Sequence, residues 1–180
     1  MKYLRRLVWF LTSHLLAVAI IAGLMVTTFY YAMNLTNIYI VLKDGMARRA
    51  QVAMLMAEPS DLNKYFQTGF LSSDPVVQAV QSSSSPYQDY RVRGIDHRLE
   101  ISFAWVWPWD DTVRVDITER IPRIDGRAKG DKAEALVSAY GSSALYPPAW
   151  QSARYRAVLS RDHGQWLIKS LSLIENLTEE

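Results

Sequence analysis

From Leu7 to Leu42 the chain carries no Lys, Arg, Asp or Glu, and through Met33 it is almost wholly apolar. As a helix rising about 1.5 Å per residue, Leu7 to Met33 would measure roughly 40 Å, enough to cross a hydrocarbon core of about 30 Å with some tilt. The sequence therefore predicts a membrane-anchored protein.

Lys2, Arg5 and Arg6 stand beside the apolar segment, and cations there favour the cytoplasmic face. Lys43, Arg48 and Arg49 match that count at the other end but lie farther from it, so the expectation is a cytoplasmic N-terminus and an extracytoplasmic remainder. The competing reading is a cleaved secretory signal, because Ala17-Val18-Ala19 has the small-x-small pattern of a cleavage site. Strongly apolar sequence continues past it through Ile20, Ile21, Leu24, Met25 and Val26, longer than a signal's apolar region of about 7 to 15 residues, which favours an uncleaved anchor. Trp9 and Phe10 near one end, and Tyr30 and Tyr31 near the other, fit the aromatic belts of the two interfaces. Residues 1–6 are thus expected as a basic cytoplasmic tip, 7–33 as the anchor and 34–180 as the folded domain. His14 is the one ionisable side chain inside the span; it is read either as a functional group or as a neutral, hydrogen-bonded one. Ala19, Gly23 and Thr27, spaced by four, would let two such helices approach closely.

The formal net charge is +2, and the first six residues carry three cations, leaving 17 basic against 18 acidic side chains. Nucleic-acid binding needs a clustered cationic excess, so it is not expected. With no cysteine there are no disulfides, thiolate metal sites or cysteine nucleophiles, and three scattered histidines make a transition-metal site improbable. No cofactor is expected.

After the anchor, Ile38, Val41, Leu42, Met46, Ala50, Ala53, Met54 and Ala57 recur at three and four, predicting a helix over 34–57 with Gly45 as a weak point. Glu58-Pro59-Ser60-Asp61 breaks it, and Leu62, Tyr65, Phe66 and Phe70 suggest a second short helix, with a third over 76–80. The period changes near Tyr90. Ile95, His97, Leu99, Ile101, Phe103, Trp105, Trp107 and Trp109 share one strand face, and Val113, Val115 and Ile117 alternate on the return strand. A short helix near 132–140 and two strands over 150–160 and 165–174 follow, joined at Asp162-His163-Gly164. The expected class is α+β: an N-terminal transmembrane helix, then a roll with helices packed on a curved four-stranded antiparallel sheet.

Asp61-Leu62-Asn63-Lys64-Tyr65-Phe66-Gln67-Thr68-Gly69-Phe70-Leu71 after a leading helix, with long strands closing on Gly164-Gln165-Trp166-Leu167-Ile168-Lys169-Ser170-Leu171, resembles the nuclear-transport-factor-two-like fold, the cystatin-like α+β roll, over about residues 38–175. That resemblance implies a single-span extracytoplasmic domain similar to the assembly-factor domains of bacterial type IV secretion and conjugation machines. The family hosts enzymes, binding proteins and scaffolds alike, so the resemblance does not settle function. The insert over 127–146 departs from a simple hairpin and leaves the strand order open.

Trp105, Trp107 and Trp109 are candidate partner-binding residues. The bland alternative buries at least the first two on the inner sheet face against Phe66 and Phe70. Tyr65, Phe66, Phe70 and His97 are candidates for a pocket between helices and sheet, where His97 could serve as a general base or as a structural histidine. Glu119, Arg120, Arg123 and Asp125, like Arg154, Arg156 and Arg161, read most simply as the solvated sheet face. The expected function is a noncatalytic binding or assembly module of an envelope complex, with protein partners or self-association. The alternative is a membrane-tethered ligand-binding or enzymatic roll.

Overall fold

The computed structural model describes residues 2–178. One helix, α1 (Lys2–Ala53), runs through both the apolar segment and the first core-forming stretch without interruption. Its apolar window is buried nowhere in the protein, and the helix is long and apolar enough to cross a membrane. Burial begins at Ile38 and recurs at Leu42, Gly45, Met46, Arg49, Ala50, Val52 and Ala53, one stripe at helical spacing.

The helix stops four residues short of the expected end. Leu55 takes a left-handed φ of 59°, its N–H bonds the Val52 carbonyl at 3.0 Å, and the Met56 N–H reaches back to Gln51 at 2.8 Å. That pair of bonds satisfies the last helical carbonyls in the way a glycine cap ordinarily would. Gly45 is not a weak point. A Cβ there would lie 3.0 Å from Tyr65 Cβ and 3.2 Å from Ile168 Cδ1, so glycine lets the helix touch its neighbours.

The segment expected as one short helix is two pieces, a 3-10 turn (Pro59–Lys64) and α2 (Thr68–Leu71). Between them the backbone pairs with a strand instead: Ile168 donates to the Tyr65 carbonyl at 2.7 Å and Gln67 to the Ile168 carbonyl at 3.0 Å. Next comes α3 (Pro75–Gln81), whose N-cap Asp74 accepts from the Val76 N–H at 3.1 Å.

The sheet comprises β1 (Tyr90–Ile101), β2 (Thr112–Ala128), β3 (Ala153–Asp162) and β4 (Gln165–Asn176), antiparallel in that order. The 127–146 insert therefore does not disturb the order. It holds α4 (Gly130–Tyr140) and a 3-10 turn (Ser142–Leu145), and α4 buries none of its residues. The inner face of the sheet, with Val113, Val115, Ile117, Ala157, Leu159, Trp166 and Ile168, packs against Ile38, Leu42, Met46, Leu62, Phe66 and Val77. The result is an α+β body of two layers. A satellite cluster of Ala50, Met54, Tyr87 and Ile121 extends it past the end of α1.

The outer sheet face is polar, as the charge alternation predicts for Arg120, Arg154 and Arg156. Asp116 pairs with Arg156 at 2.8 Å and Arg154 at 3.8 Å, and Glu100 with Arg120 at 3.1 Å. The Arg156 hydrogen bond, with the charges of both arginines, holds the Asp116 carboxyl below its ordinary pKa. Exposed pairs of this kind are screened by solvent and add little to stability.

Candidate functional site

Two arrangements stand out: an aromatic loop on the surface and a charged cluster in the interior. The loop is the segment 102–111. The ladder is expected to continue to Trp109, but β1 ends at Ile101 and the chain leaves the sheet. The inward positions become Ala104 and Val106, both buried, while Phe103, Trp105, Trp107 and Trp109 point outward, Trp105 at 58 %, Trp107 at 41 % and Trp109 at 68 % exposure. A one-residue slip exchanges the two faces of an extended segment, which is what happens between Ile101 and Ala104. The inner-face alternative for Trp105 and Trp107 is thereby overturned.

The loop is held in place. Asp110 accepts from the Trp107 N–H at 2.7 Å and its own N–H bonds the Trp107 carbonyl at 3.0 Å, closing a turn around Pro108. Arg161 of β3 donates through Nη1 to the Pro108 carbonyl at 3.4 Å and through Nη2 to Asn34 Oδ1 of α1 at 3.2 Å. The rings run in a chain: Phe103 to Trp105 at 6.4 Å, Trp105 to Trp107 edge-on at 5.2 Å, Trp107 stacked on Trp109 at 5.1 Å. Trp105 also meets Tyr31 of α1 at 5.2 Å.

The interior cluster lies between α1, α3 and the sheet. Arg49 donates to Asp74 through Nε at 2.7 Å and Nη2 at 2.8 Å, a buried bidentate pair. His97 Nε2 lies 3.0 Å from Glu119 Oε1, with side-chain exposures of 8 % and 0 %. Glu119 Oε2 and Arg49 Nη1 are buried without hydrogen-bond partners among the described residues. Burial alone would lower the Arg49 pKa, but the Asp74 hydrogen bond and the charges of Asp74 and Glu119 outweigh it and raise the value. Tyr155 faces the same group; burial and the Glu119 charge raise its phenol while Arg49 opposes them. A carboxylate holding an imidazole is the geometry of an oriented general base, yet this pair is closed over by the core.

The expected solvated position of Glu119 is therefore corrected. The signal was in the strand itself: Val113, Val115, Ile117 and Ile121 all point inward, and Glu119 has their parity. Arg49 was legible in the same way, seven residues beyond Leu42 on the buried stripe.

Of the pocket candidates, Phe66 is fully buried and stacks on the partly buried Phe70 at 5.4 Å, and Tyr65 packs at the edge of the same core. His97 turns instead to Glu119. Clefts of about 610 and 690 Å³ open on the outer surface, the first lined by Arg91, Arg93, Arg127 and Lys129 with Asp125 and Asp131, the second by Arg120, Ser152 and Glu175. Among the described residues no three His, Cys, Asp or Glu side chains gather as metal ligands. In the apolar helix, His14 Nδ1 lies 2.8 Å from the Phe10 carbonyl, its ring against Phe10 at 3.9 Å, and Thr27 donates to the Gly23 carbonyl at 2.9 Å. Ala19 and Gly23 are exposed and Thr27 half-exposed, and a Cβ on Gly23 would meet nothing within 4 Å.

No protein family, curated protein or solved structure matches the chain significantly. The chain is an α+β protein with a four-stranded antiparallel sheet and an N-terminal helix long and apolar enough to span a bilayer.

Proposed function

We propose that this chain is a noncatalytic binding or assembly module, anchored in a membrane by α1 with the N-terminus cytoplasmic and the α+β body extracytoplasmic, in an envelope complex. On this reading the body is a curved roll of the nuclear-transport-factor-two-like type. The observation that carries the proposal is where the large apolar side chains go. Leu42, Met46, Leu62, Phe66 and Ile168 fill the space between helix and sheet, while further large side chains lie outside it: the aromatic loop at one place, Val137, Tyr140 and Tyr146 of the insert at another. A scaffold needs a filled interior and an apolar exterior patch; an enzyme needs the reverse.

Photo-crosslinking tests it. A photoreactive residue at Tyr140 or Tyr146, in the full chain in its native membrane, is expected to capture a discrete protein partner or a second copy. A folded chain that captures neither from either position refutes the assignment.

The His97–Glu119 pair favours a second reading, a tethered ligand-binding or enzymatic roll. Such a ligand would have to separate α1 from the sheet to reach the imidazole. Native mass spectrometry decides: a small molecule retained by the purified chain and lost in His97→Gln supports that reading, and an empty wild-type chain removes it.

A further inference from the structure

The aromatic loop sits at a fixed height along α1. Tyr31 touches Trp105, and Asn34, one turn further on, is bound to the arginine that also holds Pro108. A hydrocarbon core of about 30 Å takes about 20 helical residues, fewer than Leu7 to Met33 supplies, and the headgroup layers add about 5 to 7 Å on each side. Tyr30 and Tyr31 then fall in the headgroup layer at the exit, and the loop falls with them.

We propose that Phe103, Trp105, Trp107 and Trp109 form a foot that enters the headgroup layer of the same bilayer that α1 crosses; the inference rests on the anchored reading above. The partner is the zwitterionic lipid interface. Indole rings combine an apolar body with one N–H donor and partition to that layer more readily than into water or hydrocarbon. The buried Ala104 and Val106 and the Asp110 turn keep the four rings outward while the loop itself stays attached to the core. Charge does not supply the attraction: the acids Asp110 and Asp111 lie in the loop, and Arg161, the cation bound to it, is engaged with Asn34, Pro108 and the Trp166 ring. Anionic lipid is therefore not required. A protein occupant would have to fit between the domain and the membrane, where only about seven residues separate Tyr31 from the first buried residue, Ile38, a rise of about 10 Å.

The chain has no cysteine, so a single introduced thiol takes a fluorescent label without background. Full-length chains carrying Trp109→Cys, Tyr140→Cys or Met25→Cys would be labelled and reconstituted in phosphatidylcholine vesicles containing lipids brominated near the glycerol or near the chain ends. The label at 109 is expected to be quenched by the shallow bromines at least about twofold more than the label at 140, and that at 25 chiefly by the deep ones. Quenching at 25 but not at 109 overturns the foot and leaves the anchor standing; quenching at neither position overturns both. Quenching at 109 that appears only with anionic lipid, or shielding at 109 that appears only in native membranes and not in pure lipid, also overturns the proposal.

Discussion

Asp74 offers the sharpest test of the interior. It is fully buried, accepts two hydrogen bonds from Arg49 and caps α3 through the Val76 N–H. Asp74→Ala leaves a buried guanidinium whose Nη1 is already without a hydrogen-bond partner among the described residues, with only the more distant Glu119 charge to offset its desolvation in the folded state. Breaking a buried pair from one side costs about 3 to 5 kcal/mol, and losing an N-cap adds about 1. Against a domain stability of about 5 to 15 kcal/mol this is a large fraction. In urea, with a slope of about 2 kcal/mol per molar, the midpoint should fall by about 2 M. The assay is a urea titration of the full chain in detergent micelles, with a protease pulse to remove the unfolded fraction. The double variant Arg49→Met with Asp74→Ala removes the stranded charge and should recover most of the loss. A drop below about 1 kcal/mol for Asp74→Ala, or a double variant no more stable than the single, would refute the reasoning.

Three further outcomes follow from particular contacts. Gly45→Leu drives a side chain into Tyr65 and Ile168 and should cost at least about 1 to 3 kcal/mol in the same titration, whereas Gly23→Leu, facing open space, should not weaken the domain. Leu55→Gly relieves a left-handed φ and should stabilise by about 1 kcal/mol, read as a higher urea midpoint. Burial pushes the Tyr87 phenol up to about 12 from 10.0, so the folded state keeps a proton that the unfolded chain releases. Its contribution is complete below pH 10 and is lost as pH rises towards 12; Tyr87→Phe should flatten that alkaline decline in a pH series of midpoints.

Most of the architecture was legible in periodicity. The stripe from Ile38 to Ala53, the alternation from Val113 to Ile117 and the turn at His163-Gly164 each fixed an element, because one buried face leaves a regular imprint on the chain. Two failures have a common cause. Phe103 to Trp109 kept a period of two, yet a strand also needs a partner, and β2 begins only at Thr112 with Pro108 in the way. Tyr65 to Gln67 read as helix by apolar spacing, but the open edge of β4 at Ile168 claimed their backbone groups. Glu119 differs for another reason: a carboxylate suits a solvated face by type, but its parity with Ile117 and Ile121 carries it into the core. Its pairing with His97, and that of Arg49 with Asp74, join residues 22 and 25 apart in sequence on different elements, which no local pattern records.

Because α1 passes from the apolar segment into the core as a single rod of 52 residues, roughly 80 Å long, the domain has no swivel of its own. In a bilayer, leaning of the rod is leaning of the whole body, magnified by the lever arm above the surface. A thicker or thinner membrane, which changes how far such a rod inclines, would then be reported outside as a change in the direction the sheet faces.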